Sequence, residues 1–237
     1  AEEVSEKTER ILSCILSFLE GQDELVIING ELAPEGSMQF MVSIQNKNGH
    51  ECGGFLISED FVVTAAHCDE GLKHVILGEH NWKNSNVKKI KISNQCKHKN
   101  YSDVGHGYDI MLLKVSIHLG EPEGLYNQEC SVAGWGKTES TDVSADDLRV
   151  VNVSIIDHND CQQSWGGLPT NVILFDDVCS LQGDSGGPLV CNGKAVGIVS
   201  FNRHFNCKYP DVPNVYTDIR EYVQWINNII MNKMCPM

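Results

Sequence analysis

A serine set between glycines is the residue of this sequence best suited to nucleophilic chemistry. The run Gly183-Asp184-Ser185-Gly186-Gly187-Pro188 places Ser185 on a backbone whose glycines accept unusual dihedral angles. An exposed hydroxyl with backbone N–H groups converging beside it can attack a carbonyl and stabilise the resulting oxyanion. The alternative is a glycine-rich turn that Ser185 merely caps, but such a turn gains nothing from Asp and Ser at these positions. We therefore interpret the run as a candidate nucleophile with its oxyanion hole.

A histidine and an aspartate could activate such a serine. Thr64-Ala65-Ala66-His67-Cys68 follows an apolar run, and Tyr108-Asp109 precedes the apolar run Ile110–Leu113. A carboxylate at the entry to an apolar strand is costly to bury unless a partner accepts its charge, and His67 is the obvious candidate. A single histidine is usually an ordinary surface or core residue, and most of the nine His of this chain have that interpretation.

Short apolar runs separated by turn residues make up most of the chain from Ile27 onward. Gly, Asn, Asp and Pro mark the turns, and apolar runs of this length between them predict strands. Many short strands at this spacing favour an all-β sandwich or barrel over alternating βα units. The predicted strands include Phe40–Ile44, Gly54–Ile57, Phe61–Thr64, Val75–Leu77, Ile110–Leu113, Val150–Ile156 and Ala195–Phe201.

Two segments depart from the strand pattern. Asp218–Ile230 carries apolar residues at helical spacing, which predicts one C-terminal helix packed on the β body. Residues 1–26 are acidic and have no strand patterning, although several of their apolar residues also recur at helical spacing. The simplest interpretation of residues 1–26 is a solvated, partly helical leader.

Composition excludes several classes of protein. The 237 residues, of which 41% are hydrophobic, fit one large domain or two small ones and exclude disorder, collagen and coiled coil. The 32 acidic against 18 basic residues, a net charge of −14, argue against nucleic acid as a partner. No apolar run approaches the length of a transmembrane helix. The 10 cysteines, without a C-x-x-C pair, favour disulfides and an oxidising compartment over a zinc site.

The motifs around His67, Asp109 and Ser185 resemble those of the chymotrypsin-like (trypsin-fold) serine protease family, where they occur in this chain order. The resemblance covers residues 27–230 and implies an all-β fold of two six-stranded antiparallel Greek-key barrels with a C-terminal helix. It implies a serine endopeptidase that hydrolyses peptide bonds through an acyl-enzyme. Ser185 would be the nucleophile, His67 the general base and then acid, and Asp109 the residue that orients His67. The N–H groups of Gly183 and Ser185 would bind the oxyanion.

The start of the protease domain is implied by the same comparison. Ile27-Ile28-Asn29-Gly30 is similar to the start of a mature enzyme of this family, which divides the chain into a leader or propeptide, residues 1–26, and a protease domain, residues 27–237. Cleavage before Ile27 would release an α-ammonium group that pairs with Asp184 and sets the oxyanion hole, so a zymogen is expected. His50 matches a family histidine that can hold Asp184 before activation.

The expected substrate-binding residues are accompanied by departures from the family pattern. Ser200-Phe201-Asn202 resembles the strand that pairs with the substrate backbone, and Ser180 and Gln182 would line the pocket that remains. Cys179 to Ser185 spans 6 positions and Asp109 to Trp135 spans 26, both fewer than the family normally has. A shortened pocket wall, with Asn202 narrowing the entrance, leaves an alternative function: a protease-like binding protein with little or no catalytic activity.

The resemblance also implies a disulfide pattern. The expected bridges are Cys52–Cys68, Cys130–Cys191 and Cys161–Cys179. Four cysteines remain unassigned, namely Cys14, Cys96, Cys207 and Cys235. We expect a monomer, and the alternative is a dimer linked by a disulfide through Cys96, Cys207 or Cys235. Leu181, where many relatives have a cysteine, and the run Cys52-Gly53-Gly54-Phe55-Leu56-Ile57 resemble the granzyme, mast-cell chymase and cathepsin G branch.

The implied partners are polypeptide substrates and protein protease inhibitors, without nucleic acid or a membrane span. We expect no cofactor and no metal: Glu79-His80-Asn81 resembles one edge of a calcium loop, but Lys83–Lys89 contains no carboxylate. Two glycosylation sequons, Asn100-Tyr101-Ser102 and Asn152-Val153-Ser154, fit a secretory route. The expected location is therefore outside the cell or in secretory or cytotoxic granules.

Overall fold

The computed structural model describes residues 30–115, 130–138, 141–156, 168–176, 183–201 and 214–235. Within these residues β-strands are the main secondary structure, joined by turns and followed by one α-helix. The strands, in chain order, are β1 Glu31–Leu32, β2 Met41–Gln45, β3 His50–Ser58, β4 Phe61–Thr64, β5 His74–Leu77, β6 Lys89–Lys97, β7 Met111–Val115, β8 Cys130–Gly134, β9 Lys137–Thr138, β10 Thr141–Ser144, β11 Arg149–Ile156, β12 Val172–Asp176, β13 Pro188–Cys191, β14 Lys194–Phe201 and β15 Asn214–Asp218.

Strands β2 to β7 form the first barrel. They close in the order β2-β3-β4-β7-β6-β5, with antiparallel neighbours throughout. Alternation along β6 shows how the sequence produces this wall, because Ile90 is buried while Lys89 and Lys91 are exposed. The first barrel therefore has an apolar interior and a polar outer surface.

The second sheet has the order β1-β11-β12-β15-β14-β13-β8, and β11 also pairs with β8. That extra pairing closes six of its seven strands into a ring, which forms the second barrel, with β1 added at its side. Strands β9 and β10 form a separate two-stranded hairpin. The prediction of two six-stranded antiparallel barrels with a C-terminal helix is confirmed.

Each end of the described chain packs on the barrel that is farther from it in sequence. At the N-terminal end, β1 pairs with β11 of the second barrel. At the C-terminal end, a 3₁₀ turn, Ile219–Tyr222, leads into helix α1, Val223–Asn232, and their buried residues join the core of the first barrel. The predicted helix therefore exists, but its buried face is carried by Ile226 and Ile229, while Val223 is exposed.

Three disulfides join described residues. Cys52–Cys68 and Cys130–Cys191 are bonded as the resemblance implies. The third, Cys96–Cys235, joins β6 of the first barrel to the residues after α1 and uses two cysteines that the sequence left unassigned. Because Cys96 and Cys235 bond within one chain, neither is available for the disulfide-linked dimer. Cys14, Cys161, Cys179 and Cys207 lie outside the described residues.

Contacts beside Cys235 support the same attachment. The ammonium of Lys233 lies 3.0 Å from the carboxylate of Asp60, which follows β3. Lys114 of β7 donates a hydrogen bond of 2.7 Å to the carbonyl of Lys233. No helix of the described part of the chain has the length and apolarity that crossing a membrane requires.

We expect the double variant Cys96→Ala/Cys235→Ala to unfold with a free energy about 2–4 kcal/mol lower than the wild type, because the unfolded chain gains conformational entropy when a long loop is opened. Urea denaturation measures this change. Met234→Ala is the matched control, since Met234 is the exposed neighbour of Cys235. Equal stability of the double variant and the wild type would contradict a structural disulfide here.

Candidate active site

Strand pairing in the first barrel brings His67 and Asp109 together. In the antiparallel pair of β4 and β7, Thr64 lies opposite Met111. His67 follows Thr64 in a 3₁₀ turn, Ala66–Cys68, and Asp109 comes just before Met111, so both leave the barrel at the same end. The two predicted residues therefore meet because of the register of two apolar strands.

Two hydrogen bonds fix the His67 imidazole against Asp109. The Nδ1 atom of His67 lies 2.8 Å from Oδ2 of Asp109, and the backbone N–H of His67 donates to Oδ1 over 2.9 Å. A carboxylate only accepts, so Nδ1 carries the proton of the neutral ring. The other ring nitrogen, Nε2, then presents a lone pair that can accept a proton.

The Asp109 carboxylate is buried, and the second barrel supplies part of its support. Ser200 of β14 donates to Oδ2 over 2.5 Å, and Thr217 of β15 donates to the backbone carbonyl of Asp109 over 3.2 Å. Burial alone would raise the pKa of Asp109, but the hydrogen bond and charge of His67 and the hydrogen bond of Ser200 outweigh it. The net pKa lies below the ordinary value, so Asp109 is ionised at neutral pH.

The residue before Asp109 has an unusual backbone. Tyr108 has a φ of +58°, which costs a bulky residue about 1–3 kcal/mol. Its ring stacks on His98, with centroids 5.0 Å apart, and His98 also contacts Tyr222 and Trp225 of the C-terminal segment. This aromatic cluster offsets the strain of the turn that delivers Asp109.

The loop of Ser185 packs directly on the first barrel. The backbone N–H of Gly53 in β3 donates to the carbonyl of Ser185 over 2.8 Å. Gly186 has a φ of +83°, and a side chain there would collide with the hydroxyl of Thr64 and the carbonyl of Gly53. A glycine after the serine is therefore required both by the backbone conformation and by the close approach.

Ser185 lies beside the disulfide that flanks His67. The sulfur of Cys68 is 3.8 Å from the carbonyl oxygen of Ser185. In the described residues, no hydrogen bond of 3.5 Å or less joins the Ser185 hydroxyl to His67. Bonds between a nucleophile and its base are often long without substrate and tighten when it binds.

Asp184 is a second buried carboxylate at this site. Its side chain is inaccessible to solvent, and its Oδ1 accepts a hydrogen bond of 2.8 Å from the backbone N–H of Gly136. A side chain at Gly134 or Gly136 would overlap the carboxyl group. The segment Gly134–Gly136 thus serves as the wall against which Asp184 packs.

His50 supports the loop that carries the candidate oxyanion hole. Its Nε2 lies 2.9 Å from the carbonyl of Gly183, an acceptor, so Nε2 carries the proton. Its Nδ1 then accepts from the hydroxyl of Ser43, 2.7 Å away, and Gln45 donates to that hydroxyl over 2.6 Å. Both ring nitrogens are thus occupied, and in this structure His50 does not hold Asp184.

The environment of His50 keeps its ring neutral. The imidazole lies between the rings of Trp82 and Trp135, with centroids 6.0 and 5.7 Å away. Burial lowers its pKa from 6.5 to about 4, against the opposing effect of the hydrogen bond to Gly183. A neutral His50 is the form that can donate at Nε2 while accepting at Nδ1.

The remaining predicted residues divide into two groups. Ser200 and Phe201 lie in β14, where the Ser200 hydroxyl is committed to Asp109. The others lie outside the described residues: Ile27, Ser180, Gln182, Asn202, Cys161 and Cys179. Cys52, Cys68 and His67 lie close enough together to suggest a metal site, but the two sulfurs form a disulfide and provide no thiolate ligand.

Sequence reasoning missed several supporting residues. Thr217, Ser43 and Gln45 are polar residues within strands, and all three are buried. A buried polar residue in a strand needs a hydrogen-bond partner, which is a signal of a role in a network. The sequence alone does not identify that partner.

Gly136→Ala tests the packing around Asp184. We expect its free energy of unfolding to fall by about 1–3 kcal/mol, because the new methyl group overlaps a buried carboxylate. Gly105→Ala is the control, since a side chain there would approach only the carboxylate of Asp103. Denaturation curves showing the same loss for both variants would contradict the assignment.

The pH dependence of stability tests His50. Between pH 6.5 and about 4 the unfolded imidazole takes up a proton that the native ring does not, so the stability of the wild type falls as pH falls. Across that whole pH interval, the difference in proton uptake by His50 lowers the free energy of unfolding by about 3 kcal/mol. We expect His50→Gln, which keeps a donor and an acceptor, to lose less stability than the wild type between pH 7 and pH 4.5 in urea denaturation. Asn94→Gln, which introduces the same side chain at an exposed position of β6 and removes no titratable group, should follow the wild-type slope.

Comparison with known proteins agrees with this geometry. The sequence profile of the family described as Trypsin matches residues 27–226. The chain is similar to Serine protease 1 of Rattus norvegicus, at 36% identity over 88% of this chain and 92% of that protein. It is similar to Trypsin II-P29 of Gallus gallus, at 35% identity over 93% of this chain and 96% of that protein. It is also similar to Kallikrein-7 of Homo sapiens, at 35% identity over 85% and 86% of the two chains.

A solved structure shares the fold. Neuropsin, described as a serine protease expressed in the limbic system of mouse brain, superposes with a TM-score of 0.76 at 28% identity, covering 87% of this chain and 100% of its own. The profile match covers most of the chain, and the identities hold over nearly the full length of the relatives. The chain therefore belongs to the trypsin family of chymotrypsin-like serine proteases.

Proposed function

We propose that this chain is a serine endopeptidase that hydrolyses peptide bonds through an acyl-enzyme on Ser185. The observation that carries the proposal is the His67–Asp109 pair, whose hydrogen bonds leave Nε2 of His67 as a proton acceptor next to the serine loop. Membership of the trypsin family supports the same reaction.

Each side chain has one task in the proposed mechanism. The Ser185 oxygen attacks the substrate carbonyl while Nε2 of His67 takes its proton, and Asp109 stabilises the imidazolium that forms. The backbone N–H groups of Gly183 and Ser185 stabilise the oxyanion. His67 then gives the proton to the leaving amine, and water releases the acyl group by the same steps in turn. No cofactor takes part.

We further propose that the protein is made as a zymogen. The match to the trypsin family begins at Ile27, which supports a protease domain of residues 27–237 behind a propeptide of residues 1–26. Asp184 is buried beside the oxyanion motif, where the α-ammonium of Ile27 would pair with it after cleavage. That pair would fix the peptide groups that bind the oxyanion.

We infer a secretory route for this protein. Disulfides between described residues support an oxidising compartment, and Asn100 of the first sequon is exposed, as glycosylation requires. Protein protease inhibitors are expected partners beside polypeptide substrates. The resemblance to the granzyme, chymase and cathepsin G branch, with storage in granules, stays a prediction from Leu181 and the run after Cys52.

Covalent labelling tests the proposed activity. A fluorophosphonate should label the protein after controlled cleavage at Val26–Ile27, and intact mass should show one adduct, because capture needs the triad and oxyanion hole but little of the specificity pocket. We expect Ser185→Ala to abolish labelling and to lower kcat/KM for a peptide substrate by several orders of magnitude, roughly 10⁴-fold or more.

The control is Ser85→Ala, which removes an exposed hydroxyl and should keep both labelling and turnover. Folded, cleaved protein that fails to react with the probe would overturn the endopeptidase and favour the protease-like binding protein. Activity of Ser185→Ala equal to the wild type would overturn the role of Ser185.

A further inference from the structure

Trp82 covers the solvent side of His50. The imidazole of His50 lies between two indole rings, and the inner one, Trp135, is almost fully buried. Trp82 is half-buried, so its ring lies between His50 and the solvent. His50 is itself only half-buried as a residue, and without the Trp82 ring its imidazole would therefore be open to water.

The turn before His50 leaves space for this ring. A side chain at Gly49 would come within 3.1 Å of the Trp82 ring, and Gly49 has a φ of +122°. Glycine is required here both by the backbone conformation and by the close approach of the ring. One indole therefore packs on two consecutive residues, Gly49 and His50, at the entry to β3.

The segment between β10 and β11 fixes the orientation of the Trp82 ring. The indole N–H donates to the carbonyl of Ala145 over 2.8 Å, and the backbone N–H donates to the carbonyl of Asp146 over 3.3 Å. The ammonium of Lys83, 2.5 Å from the carboxylate of Asp146, lies 5.1 Å from the centre of the ring. The indole therefore cannot turn away from His50 without losing contacts to this segment.

His50 joins Trp82 to the loop of the candidate oxyanion hole. Its Nε2 donates to the carbonyl of Gly183 over 2.9 Å. Gly183 has a φ of +107°, and a side chain there would lie 3.5 Å from the His50 ring. A glycine has more backbone freedom than other residues, so the direction of its peptide groups depends on external hydrogen bonds. A displaced imidazole would release this carbonyl and let the N–H of Gly183 turn away from the oxyanion.

We propose that Trp82 is a positioning residue for the oxyanion hole, because it holds His50 where His50 fixes the carbonyl of Gly183. None of the described contacts of Trp82 involves a residue of the proposed triad, so its effect is exerted through His50. The oxyanion forms only in the transition state, and loss of the ring should therefore lower kcat and leave KM nearly unchanged. The effect on catalysis rests on the proposed endopeptidase function, but the position of His50 does not.

Two substitutions at Trp82 test its role in catalysis. Trp82→Leu keeps apolar bulk against the core but has no ring, whereas Trp82→Phe keeps a ring beside His50 and lacks the indole N–H. In the protein cleaved at Val26–Ile27, we expect Trp82→Leu to lower kcat about tenfold with KM changed less than about twofold, since complete loss of an oxyanion donor costs about 10²–10³-fold. Trp82→Phe should recover most of the wild-type kcat.

Asp147→Ala is the matched control for lost contacts between the same two segments. Asp147 accepts a hydrogen bond of 2.8 Å from the side chain of Asn81, the neighbour of Trp82. Among the described hydrogen bonds and ring contacts, none joins Asp147 to Trp82 or His50. This variant should therefore keep the wild-type kcat. Equal loss of kcat in Asp147→Ala and Trp82→Leu would overturn the proposal, and so would a wild-type kcat in Trp82→Leu.

Proton titration of His50 tests the position of the ring without any turnover. NMR of the full chain, labelled with carbon-13 in its histidines, follows each imidazole, and His50→Gln identifies the His50 signal. In the wild type we expect a pKa of about 4 for His50, because burial lowers it from 6.5. Trp82→Leu should raise this pKa toward 6.5, since water then reaches the charged ring, while Trp82→Phe and Asp147→Ala should keep it low.

The two experiments separate this inference from the proposed function. No turnover by any form of the protein contradicts the endopeptidase, while the titration of His50 still tests whether Trp82 covers it. An unchanged pKa of His50 in folded Trp82→Leu overturns the inference, even if the protein is an active protease. A pKa near 6.5 in the wild type overturns it too, and that measurement does not depend on the folding of any variant.

Discussion

The buried charge of Asp109 depends on both barrels at once. The first barrel provides His67, with two hydrogen bonds to the carboxylate, and the second provides Ser200 and Thr217, which bind the carboxylate and the backbone carbonyl. A buried carboxylate without such partners costs several kcal/mol. The free energy of ionising Asp109 therefore depends on the packing of the two barrels against each other. This is why the candidate active site lies at the junction of the barrels and not within either of them.

The loop that carries Ser185 is likewise held by hydrogen bonds from other parts of the chain. Gly53 holds the carbonyl of Ser185, His50 holds that of Gly183, and the N–H of Gly136 holds the carboxylate of Asp184. These three anchors come from β3 and from the segment after β8, far from residue 185 in sequence. A loop held at three points by separate elements has little conformational freedom, which is the pre-organisation that the proposed oxyanion hole needs.

Much of the molecule could be predicted from local pattern, and the exceptions have physical reasons. Apolar runs between turn residues identified β4 and most of β2, β7, β11 and β14. These strands could be predicted because an apolar run, or an alternation of apolar and polar residues, is visible in a few consecutive residues. Strand β6 escaped notice because its outward residues are mostly Lys, Asn and Gln. Thr217 and the pair Ser43–Gln45 could not be assigned roles, since their partners are fixed by strand register across the two barrels. The His50 partner differed for the same reason: the sequence resemblance suggests Asp184, whereas the fold presents the carbonyl of Gly183.

The bond between Cys96 and Cys235 constrains how the protein is made. Its two cysteines are 139 residues apart, and every strand of the second barrel except β1 lies between them in the chain. The bond therefore cannot close until the residues that follow α1 have been synthesised. The first barrel, although its strands come first in the chain, thus receives this covalent link and its helical cover only after all strands of the second barrel exist.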